Sequence, residues 1–598
     1  MARKPELNFE DAILDQWSDS DLKRLERPLV SNVFWLVIVF SALIILLVVF
    51  RILALNWFFG DFYKKRSYIN VNQEFIIPAH RGIISDRFGN QLVKNIPSFS
   101  VSINKSEFIK NRSEQNKLLK KLSLVLEIPE DDLKKIIKDT DLEESVKILL
   151  ARNITLEQAI DLQGLRNDAL VIEDDYKRDY VEPLVLSHIL GYTGLIDWSK
   201  NIEGKTGLED FYNDTLRGED GAYIISRDAK GNALQKKIIR ENKPGSQLLI
   251  TVDLEFQKYF YERFRQSLQE LERHAGTGIA MNPKTGEILA LVSFPSFDNN
   301  NPVKYLRAPN QPLFNRAVSG TYSPGSTIKP LVALAGLKEK IMDTNFEVYS
   351  PGYLEIPNPY DPENPSRFLD WRVNGLVNLH SALARSSNVY FYVIGGGYKN
   401  IKGLRINKLN EYWKKFGLDK KTNIDLPNEA VGFLPNPEEK EKRTKQPWRI
   451  GDTYNVSIGQ GDLIITPIRL LSMIASIANN GKMMKPHFLL NESPDVLFDY
   501  SDWGDLIKEV QQGMRDAVAK SYGTANFLYD LPYKTAGKTG SAQIANNTKT
   551  NAFFTGYGPV SDPQIAILIL VEDAKGGSLN AVPIAKDVLK WYYDHRLN

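Results

Sequence analysis

The sequence contains no cysteine. That excludes disulfides, thiol nucleophiles and thiolate-held metals, and it suits an oxidising compartment. Histidine is scarce as well. The six present (His80, His188, His274, His380, His487 and His595) are scattered, with no pair at the His-x-x-x-His spacing, so no zinc or iron site is expected and no metal cofactor is called for. A charge excess of either sign is also missing. Lys+Arg 75 against Asp+Glu 73 leaves a net +2, with no basic stripe, which argues against a nucleic-acid partner. Repeats and low-complexity tracts are absent. The hydrophobic 43% and charged 25% are ordinary for a globular chain, and 598 residues are too many for one core, so two or more domains are expected.

One segment departs from the soluble pattern. Pro28–Phe50 is a run of 23 residues without a charge, bounded by Arg27 and Arg51 and interrupted only by Ser31, Asn32 and Ser41. About 20 apolar residues cross a bilayer, whereas a buried helix of this length normally keeps a polar stripe. The run is too long for a signal peptide and no Ala-x-Ala site follows it. Trp57, Phe58, Phe59 and Tyr63 then read as an interfacial aromatic belt. Basic residues flank both ends (Lys23, Arg24, Arg27 before; Arg51, Lys64, Lys65, Arg66 after), so charge leaves the orientation open.

Beyond the run, Gln73–Asn90 and Tyr192–Asn242 are rich in Gly, Arg and β-branched residues and predict strands and turns. Between them, about 107–163, Leu133, Ile136 and Ile137 recur at helical spacing and Thr155-x-x-Gln158 reads as a capping box, which predicts an inserted helical lobe. Asn242-Lys243-Pro244-Gly245 marks a turn. An α/β pattern follows: a helix at Asp253–Glu272, strands Thr277–Met281 and Ile288–Val292 across a hairpin turn, helical segments, late strands at Ala552–Tyr557 and Gln564–Val571, and a closing helix at Val582–Tyr593. This order predicts one sheet assembled from both ends of the domain.

Three short motifs carry chemistry, and each is weak alone. Ser-x-x-Lys occurs at Ser20, Ser102 and Ser326; Lys-Thr-Gly occurs at Lys205, Lys284 and Lys538; Ser-x-Asn occurs at Ser102, Ser386 and Ser578, among others. Context separates them. A serine nucleophile needs a base, and a lysine three residues on lies one helical turn away on the same face. Ser20 lies in the polar tail, and Ser102 lies in a strand-like alternation that turns residue 105 to the opposite face. Only Ser326 follows Ser323-Pro324-Gly325 and opens a helical run, where backbone N–H groups favour developing negative charge. Lys538-Thr539-Gly540-Ser541 precedes a hairpin at Asn546-Asn547 and a strand. That places it on a strand able to pair with an extended peptide, with Gly540 permitting close backbone approach. A phosphate loop is excluded there, since position 532 is proline where glycine is required.

Ser326-x-x-Lys329, Ser386-Ser387-Asn388 and Lys538-Thr539-Gly540, in that order, resemble the penicillin-binding proteins and serine β-lactamases. The likeness extends further. Arg81–Gly89, Gly204–Glu209 and Leu216-Arg217-Gly218 resemble the non-catalytic module of the class B penicillin-binding proteins. Gly451–Gly461, with Trp448 before it, is similar to the elongation-type subfamily, penicillin-binding protein 2, more than to the division type. The match runs from about residue 60 to the end.

The resemblance implies an α+β chain with a tail at 1–27, a single transmembrane helix at 28–55, an elongated β-rich non-catalytic pedestal at 56–245 with its helical lobe, and a penicillin-binding transpeptidase domain at 246–598. That last domain would be a central antiparallel sheet flanked by helices. The tail would be cytoplasmic and residues from about 60 onward extracytoplasmic, on the inner membrane. The implied reaction is D,D-transpeptidation of peptidoglycan stem peptides during wall elongation, with β-lactams acylating the same serine. In the implied roles, Ser326 attacks and Lys329 is the base, held neutral by burial and by the positive charge of Lys538. Ser386 relays a proton, Asn388 binds the substrate amide, and Thr539, Gly540 and Ser541 bind the terminal carboxylate side. The N–H groups of Ser326 and Ser541 would form the oxyanion hole. No cofactor is implied. A SEDS-type glycosyltransferase and other elongation proteins are the implied partners. A carboxypeptidase or β-lactam hydrolase, or a scaffold that activates a membrane polymerase, remain alternatives from the residues alone.

Overall fold

The computed structural model describes residues 31–110, 114–139, 147–195, 202–227, 233–358, 361–544 and 548–598. The tail 1–27, with Ser20 and Lys23, the first three residues of the apolar run, and the turn residues Asn546 and Asn547 lie outside them. The described chain divides into two compact units. One comprises residues up to Ile77 together with Gly221–Glu241; the other comprises Pro78–Asp220 and Asn242–Asn598.

In the first unit, helix α1 spans Ser31–Val71. Within Asn32–Lys64 it carries a stretch of mean hydropathy 3.2, none of it buried in protein, and among the described residues it is the one helix long and apolar enough to cross a membrane. The helix does not stop at residue 55, where the span was expected to end. No proline interrupts it, and its 41 residues reach about 60 Å at 1.5 Å per residue, roughly twice a ~30 Å hydrocarbon layer. Trp57, Phe58, Phe59 and Tyr63 are therefore helical, and all are exposed. A three-stranded antiparallel sheet follows, with Gly221–Arg227 between Asn72–Ile77 and Ala233–Arg240.

The second unit does not break at residue 245, because one hydrophobic core continues through it. Ile84, Leu92, Leu190 and Leu208 belong to the same buried cluster as Ile279, Leu331 and Leu471. The short strand Leu248–Leu249 runs parallel to Ile84–Ser85 and joins the N-terminal sheet of Gln91–Asn104, Lys147–Ile154 and Leu170–Tyr180. The two sequence stretches Arg81–Gly89 and Gly204–Glu209 meet at a buried ion triad. Glu209, fully buried, accepts from Arg81 Nε at 2.6 Å and from Arg178 Nε at 2.8 Å. Gly82 and Gly245 sit where a Cβ would fall within 2 Å of the carbonyl oxygens of Ser246 and Leu216 respectively, so only glycine allows these chains to cross. Glu209→Gln strands two guanidiniums inside the protein and is expected to lower unfolding free energy by about 3–5 kcal/mol in urea titration. A loss under about 1 kcal/mol would show that the triad is not a structural joint.

The expected helical lobe is mixed. Helices Gln115–Leu126, Glu130–Asp139 and Leu156–Gly164 are present, and Thr155 and Gln158 form the expected reciprocal cap. Lys147–Ile154, however, is a strand, with Ile148 and Leu150 turned inward on alternate positions. Its pairing with Phe99–Asn104 overrides the Leu/Ile content that reads as helical in isolation.

The C-terminal part is built on a five-stranded antiparallel sheet. With β1 at Gly276–Met281, β2 at Ile288–Phe294, β3 at Ala536–Ile544, β4 at Lys549–Gly558 and β5 at Ile565–Val571, the order is β2-β1-β5-β4-β3. Early strands and late strands therefore share one sheet, and β3 is an edge. Strand β5, Ile-Ala-Ile-Leu-Ile-Leu-Val, is buried on both faces, which is why it reads as a continuous apolar run. Ile567 and Ile569 pack with Phe256, Phe260 and Phe264 of helix α2 (Leu254–Glu270). Leu568 and Leu570 face the other core, which contains helix α3 (Lys329–Lys338), apolar on all sides and buried except at its last lysine.

Candidate active site

The nucleophile loop is tied down from behind. Gly325 has φ +54° and its N–H donates to Gly459 O at 2.9 Å. Gly459 itself has φ +76°, and a Cβ there would lie 2.1 Å from Gly325 O. Thr327 Oγ1 donates to Pro324 O at 2.6 Å. A single 3-10 turn, Gly325–Ile328, runs directly into α3, so Ser326 lies at the mouth of a helix, half-buried, with Lys329 one turn below it and fully buried.

Lys329 Nζ donates to Ser386 O at 2.9 Å and to Asn388 Oδ1 at 2.7 Å, with Ser386 Oγ at 3.4 Å. Lys538 Nζ reaches the same Ser386 Oγ at 2.7 Å, and Thr539 O at 2.9 Å. Four of the five residues expected from the motifs, Lys329, Ser386, Asn388 and Lys538, thus meet in one hydrogen-bonded network with the Ser386 hydroxyl between two buried amines, and Ser326 lies one turn before Lys329. Burial pushes the Lys329 ammonium down to about 7, opposed by the Asp370 carboxylate. Burial also drives Lys538 well below its ordinary value, and there the charge of Lys329 adds to it. Burial, one of the two expected causes, is thus what lowers Lys329; the charge of Lys538, the other, does not figure in it. A fully desolvated amine loses its proton without help.

Ser386 does not open a helix. It closes helix α4 (Leu379–Arg385) in the left-handed conformation, φ +55°, and Ser387 is the residue that caps helix α5 (Asn388–Gly396). A non-glycine residue there is uncommon and is held by its surroundings. The support comes from Asp370, which motif reasoning does not reach. Its carboxylate is buried and accepts from Ser387 Oγ at 2.7 Å, Ser350 Oγ at 2.9 Å, Asn374 Nδ2 at 3.0 Å and the Asn388 N–H at 2.9 Å. Burial pushes this carboxyl up, but the Asn388 N–H, the Lys329 charge and the serine hydroxyls outweigh it and hold it below its ordinary value. No spacing rule marks a lone aspartate 16 residues upstream of a Ser-x-Asn motif, so only the fold could find it.

On the edge strand β3, Lys538 pairs with Thr555 of β4 and leaves the other edge open. Thr539 Oγ1 donates to Thr524 Oγ1 at 2.7 Å. Ser541 is exposed; its carbonyl accepts from Gln460 Nε2 at 3.1 Å and its Oγ from the Gly577 N–H at 3.2 Å. Gly540 also has a role within the protein. A Cβ there would meet Thr327 Cγ2 at 2.9 Å and Pro324 O at 3.1 Å, so the close approach it allows is to the nucleophile loop. The glycine seats Ser326 against β3. Within Gly459-Gln460-Gly461, Gly459 packs on the nucleophile loop and the Gln460 amide donates to the strand, so the stretch ties the two together.

The chain carrying this arrangement matches known proteins along most of its length. The penicillin binding protein transpeptidase domain family matches residues 276–590, and the penicillin-binding protein dimerisation domain family matches 76–250. The peptidoglycan D,D-transpeptidase MrdA of Haemophilus influenzae is 30% identical over 594 residues, covering 90% of this chain and 88% of that one. The solved complex of penicillin-binding protein PBP2 with MreC from Helicobacter pylori superposes with a TM-score of 0.76 at 26% identity, covering 88% of this chain and all of that one. A chain from a solved peptidoglycan synthase complex, described as coordinating polymerization and crosslinking, superposes with a TM-score of 0.66 at 25% identity, covering 94% of this chain and 98% of that one. With its Ser-x-x-Lys, Ser-x-Asn and Lys-Thr-Gly residues meeting in one buried network and a family match over more than half its length, the chain belongs to the penicillin-binding protein transpeptidase family.

Proposed function

We propose that this protein is a membrane-anchored peptidoglycan D,D-transpeptidase of the elongation type, acylated at Ser326 by donor peptides and by β-lactams. The observation that carries this reading is the pair of buried lysines meeting at Ser386, one turn below Ser326 and beside an open strand edge. Neutral Lys329 takes the proton from Ser326 Oγ as that oxygen bonds to the carbonyl between two D-alanines. The Ser326 and Ser541 N–H groups stabilise the oxyanion; losing one such donor typically costs about 10²–10³ in rate. The proton passes through Ser386 to the leaving nitrogen as the C–N bond breaks and the terminal D-alanine departs. An incoming amine then attacks the ester, its proton returns by the same route, and the Ser326 hydroxyl is restored. Asn388 holds the substrate amide, and Thr539 and Ser541 the terminal carboxylate side, while Gly540 seats the strand.

The α1 helix anchors the chain in the inner membrane, with its N-terminus cytoplasmic and residues from about 60 outside. The solved complex with MreC supports an MreC-type partner, and the synthase complex supports a partner that polymerises peptidoglycan; that this polymerase is of the SEDS type is what the family resemblance implies. Domain limits near 28, 56 and 246 describe anchor, pedestal and catalytic part in this reading, even though pedestal and catalytic part share a core.

The test is to treat the purified protein with a fluorescent penicillin and map the adduct by peptide mass spectrometry. A stable adduct on the Ser326 peptide is expected; an adduct elsewhere, or none, overturns the assignment. Incubation with a D-Ala-D-Ala donor, with and without an acceptor amine, then separates transfer from hydrolysis. Exclusive release of the hydrolysed peptide in the presence of amine would make the protein a carboxypeptidase.

A further inference from the structure

Two arginines beside the site have no acidic partner. Arg385 is the last residue of α4, directly before Ser386, and Arg372 follows Asp370 by two positions. Tyr522 brings them together. The Arg385 guanidinium lies 4.1 Å from the centroid of its ring, and Arg372 Nη2 donates to its carbonyl oxygen at 3.1 Å. Trp371 closes the cluster, with its indole N–H donating to Arg385 O at 3.0 Å and the Arg372 guanidinium 4.3 Å over its ring. Trp371 is exposed and both arginines are half-buried, so the cluster opens to solvent.

Placing like charges side by side in a partly desolvated position is unfavourable. Burial, and then the charge of Arg385, push the Arg372 guanidinium down from its ordinary value. Asp370 offsets part of this repulsion, but its oxygens are occupied by Ser350, Asn374, Ser387 and the Asn388 N–H. Arg372 Nε reaches only a neutral amide oxygen, that of Asn374, at 3.1 Å, and Arg385 Nε is buried with no hydrogen-bond partner. Among the described residues neither guanidinium forms an ion pair. Both guanidiniums thus carry charge with no anion against it: Arg372 spends Nε and Nη2 on neutral oxygens, and the remaining Nη groups of the pair are suited to a carboxylate.

The position of the cluster specifies which carboxylate. The Tyr522 segment continues into Thr524, whose N–H donates to Ala384 O at 3.1 Å and whose hydroxyl accepts from Thr539 at 2.7 Å. The arginines therefore lie beside β3 at Thr539, linked to it through Thr524. We propose that Arg372 and Arg385 form a carboxylate-binding site there that recognises the free C-terminal carboxylate of the peptide donor. This rests on the transpeptidase reading. It adds two specificity-determining residues outside the three motifs and gives the uncompensated charge a use.

The experiment compares donor peptides ending in a free acid, in a terminal amide, and with an inner carboxylate amidated instead, using the full-length protein and its Arg372→Gln/Arg385→Gln variant. A charge-assisted pair contributes roughly 1.5–3 kcal/mol, so the acid-to-amide ratio of kcat/KM should fall by about 10-fold to 100-fold in the variant. Amidating the inner carboxylate should leave the effect of the arginine changes as it is. An acid-to-amide ratio equal to that of the parent overturns the proposal, as does a variant whose defect follows the inner carboxylate. Should circular dichroism show the double variant unfolded, Arg385→Lys serves in its place, since it keeps the charge but not the fork. A ratio lowered several-fold supports the site and an unchanged ratio refutes it. Adduct formation at Ser326 in the parent protein shows independently whether the underlying enzymatic reading holds.

Discussion

Ser326→Ala is expected to take up no fluorescent penicillin while keeping the circular dichroism spectrum and melting curve of the parent, because the serine is half-buried and its side chain anchors no part of the core. Lys329→Met should keep the nucleophile and nearly the same volume but lose about 10²–10⁴ in acylation rate, the usual contribution of a positioned base. The pH dependence has a definite sign. Lys329 acts when neutral, and burial brings its ammonium down to about 7. The acylation rate should therefore be low in acid, rise as pH increases through about 7, and level off above that. Stopped-flow acylation across roughly pH 5 to pH 9 checks this. A flat profile would exclude Lys329 as the base, and persistent labelling of the alanine variant would exclude Ser326 as the nucleophile.

Asp370→Asn is expected to damage the protein in two separable ways. The carboxylate accepts from two serine hydroxyls, an asparagine amide and the first N–H of α5. An amide of the same shape turns one acceptor oxygen into a donor that faces other donors. Leaving buried polar groups unpaired costs about 1–3 kcal/mol each, so a loss of roughly 2–4 kcal/mol in stability is expected from denaturant titration. The second effect is kinetic and runs against intuition. Asp370 raises the pKa of Lys329, so its neutralisation makes the base titrate lower, and the rising limb of the acylation profile moves to more acid pH. A loss of structure alone would lower the plateau without moving the limb. An unmoved limb would therefore reduce Asp370 to a scaffold for the Ser386–Asn388 turn.

The case of Asp370 shows where sequence reasoning reaches its limit. Ser326, Lys329 and Lys538 could be named beforehand because each lies in a local pattern whose geometry follows from chain connectivity: three residues make one helical turn, and Lys-Thr-Gly before a hairpin makes a strand. Ser386 and Asn388 are singled out by the order of the three motifs and the family resemblance it carries. Asp370 acts on the site through a loop that folds over the start of α5, and that approach has no local signature. The same limit explains Gly540. The pattern shows that a backbone comes close there, and only the packing shows that it is the backbone of Pro324. The strand Lys147–Ile154 reads as helical until its partner Phe99–Asn104 is in place.

By itself, then, the sequence determined what covalent order and periodicity control. These are one apolar helix at the N-terminus, a sheet drawn from the two ends of the C-terminal part, a serine with a lysine one turn away, and the absence of thiol chemistry. Tertiary structure decided what depends on distance through space. It carried the first helix on to Val71, fused the Pro78–Asp220 segment to the residues from Asn242 onward through one core, and buried Lys329 deeply enough to lower it without the second lysine. It also placed Asp370, Arg372 and Arg385 around Ser386. The reason is physical. Periodicity and capping act over a few residues, but desolvation and ion pairing depend on which segments exclude water from one another, and in this chain those segments lie far apart in sequence.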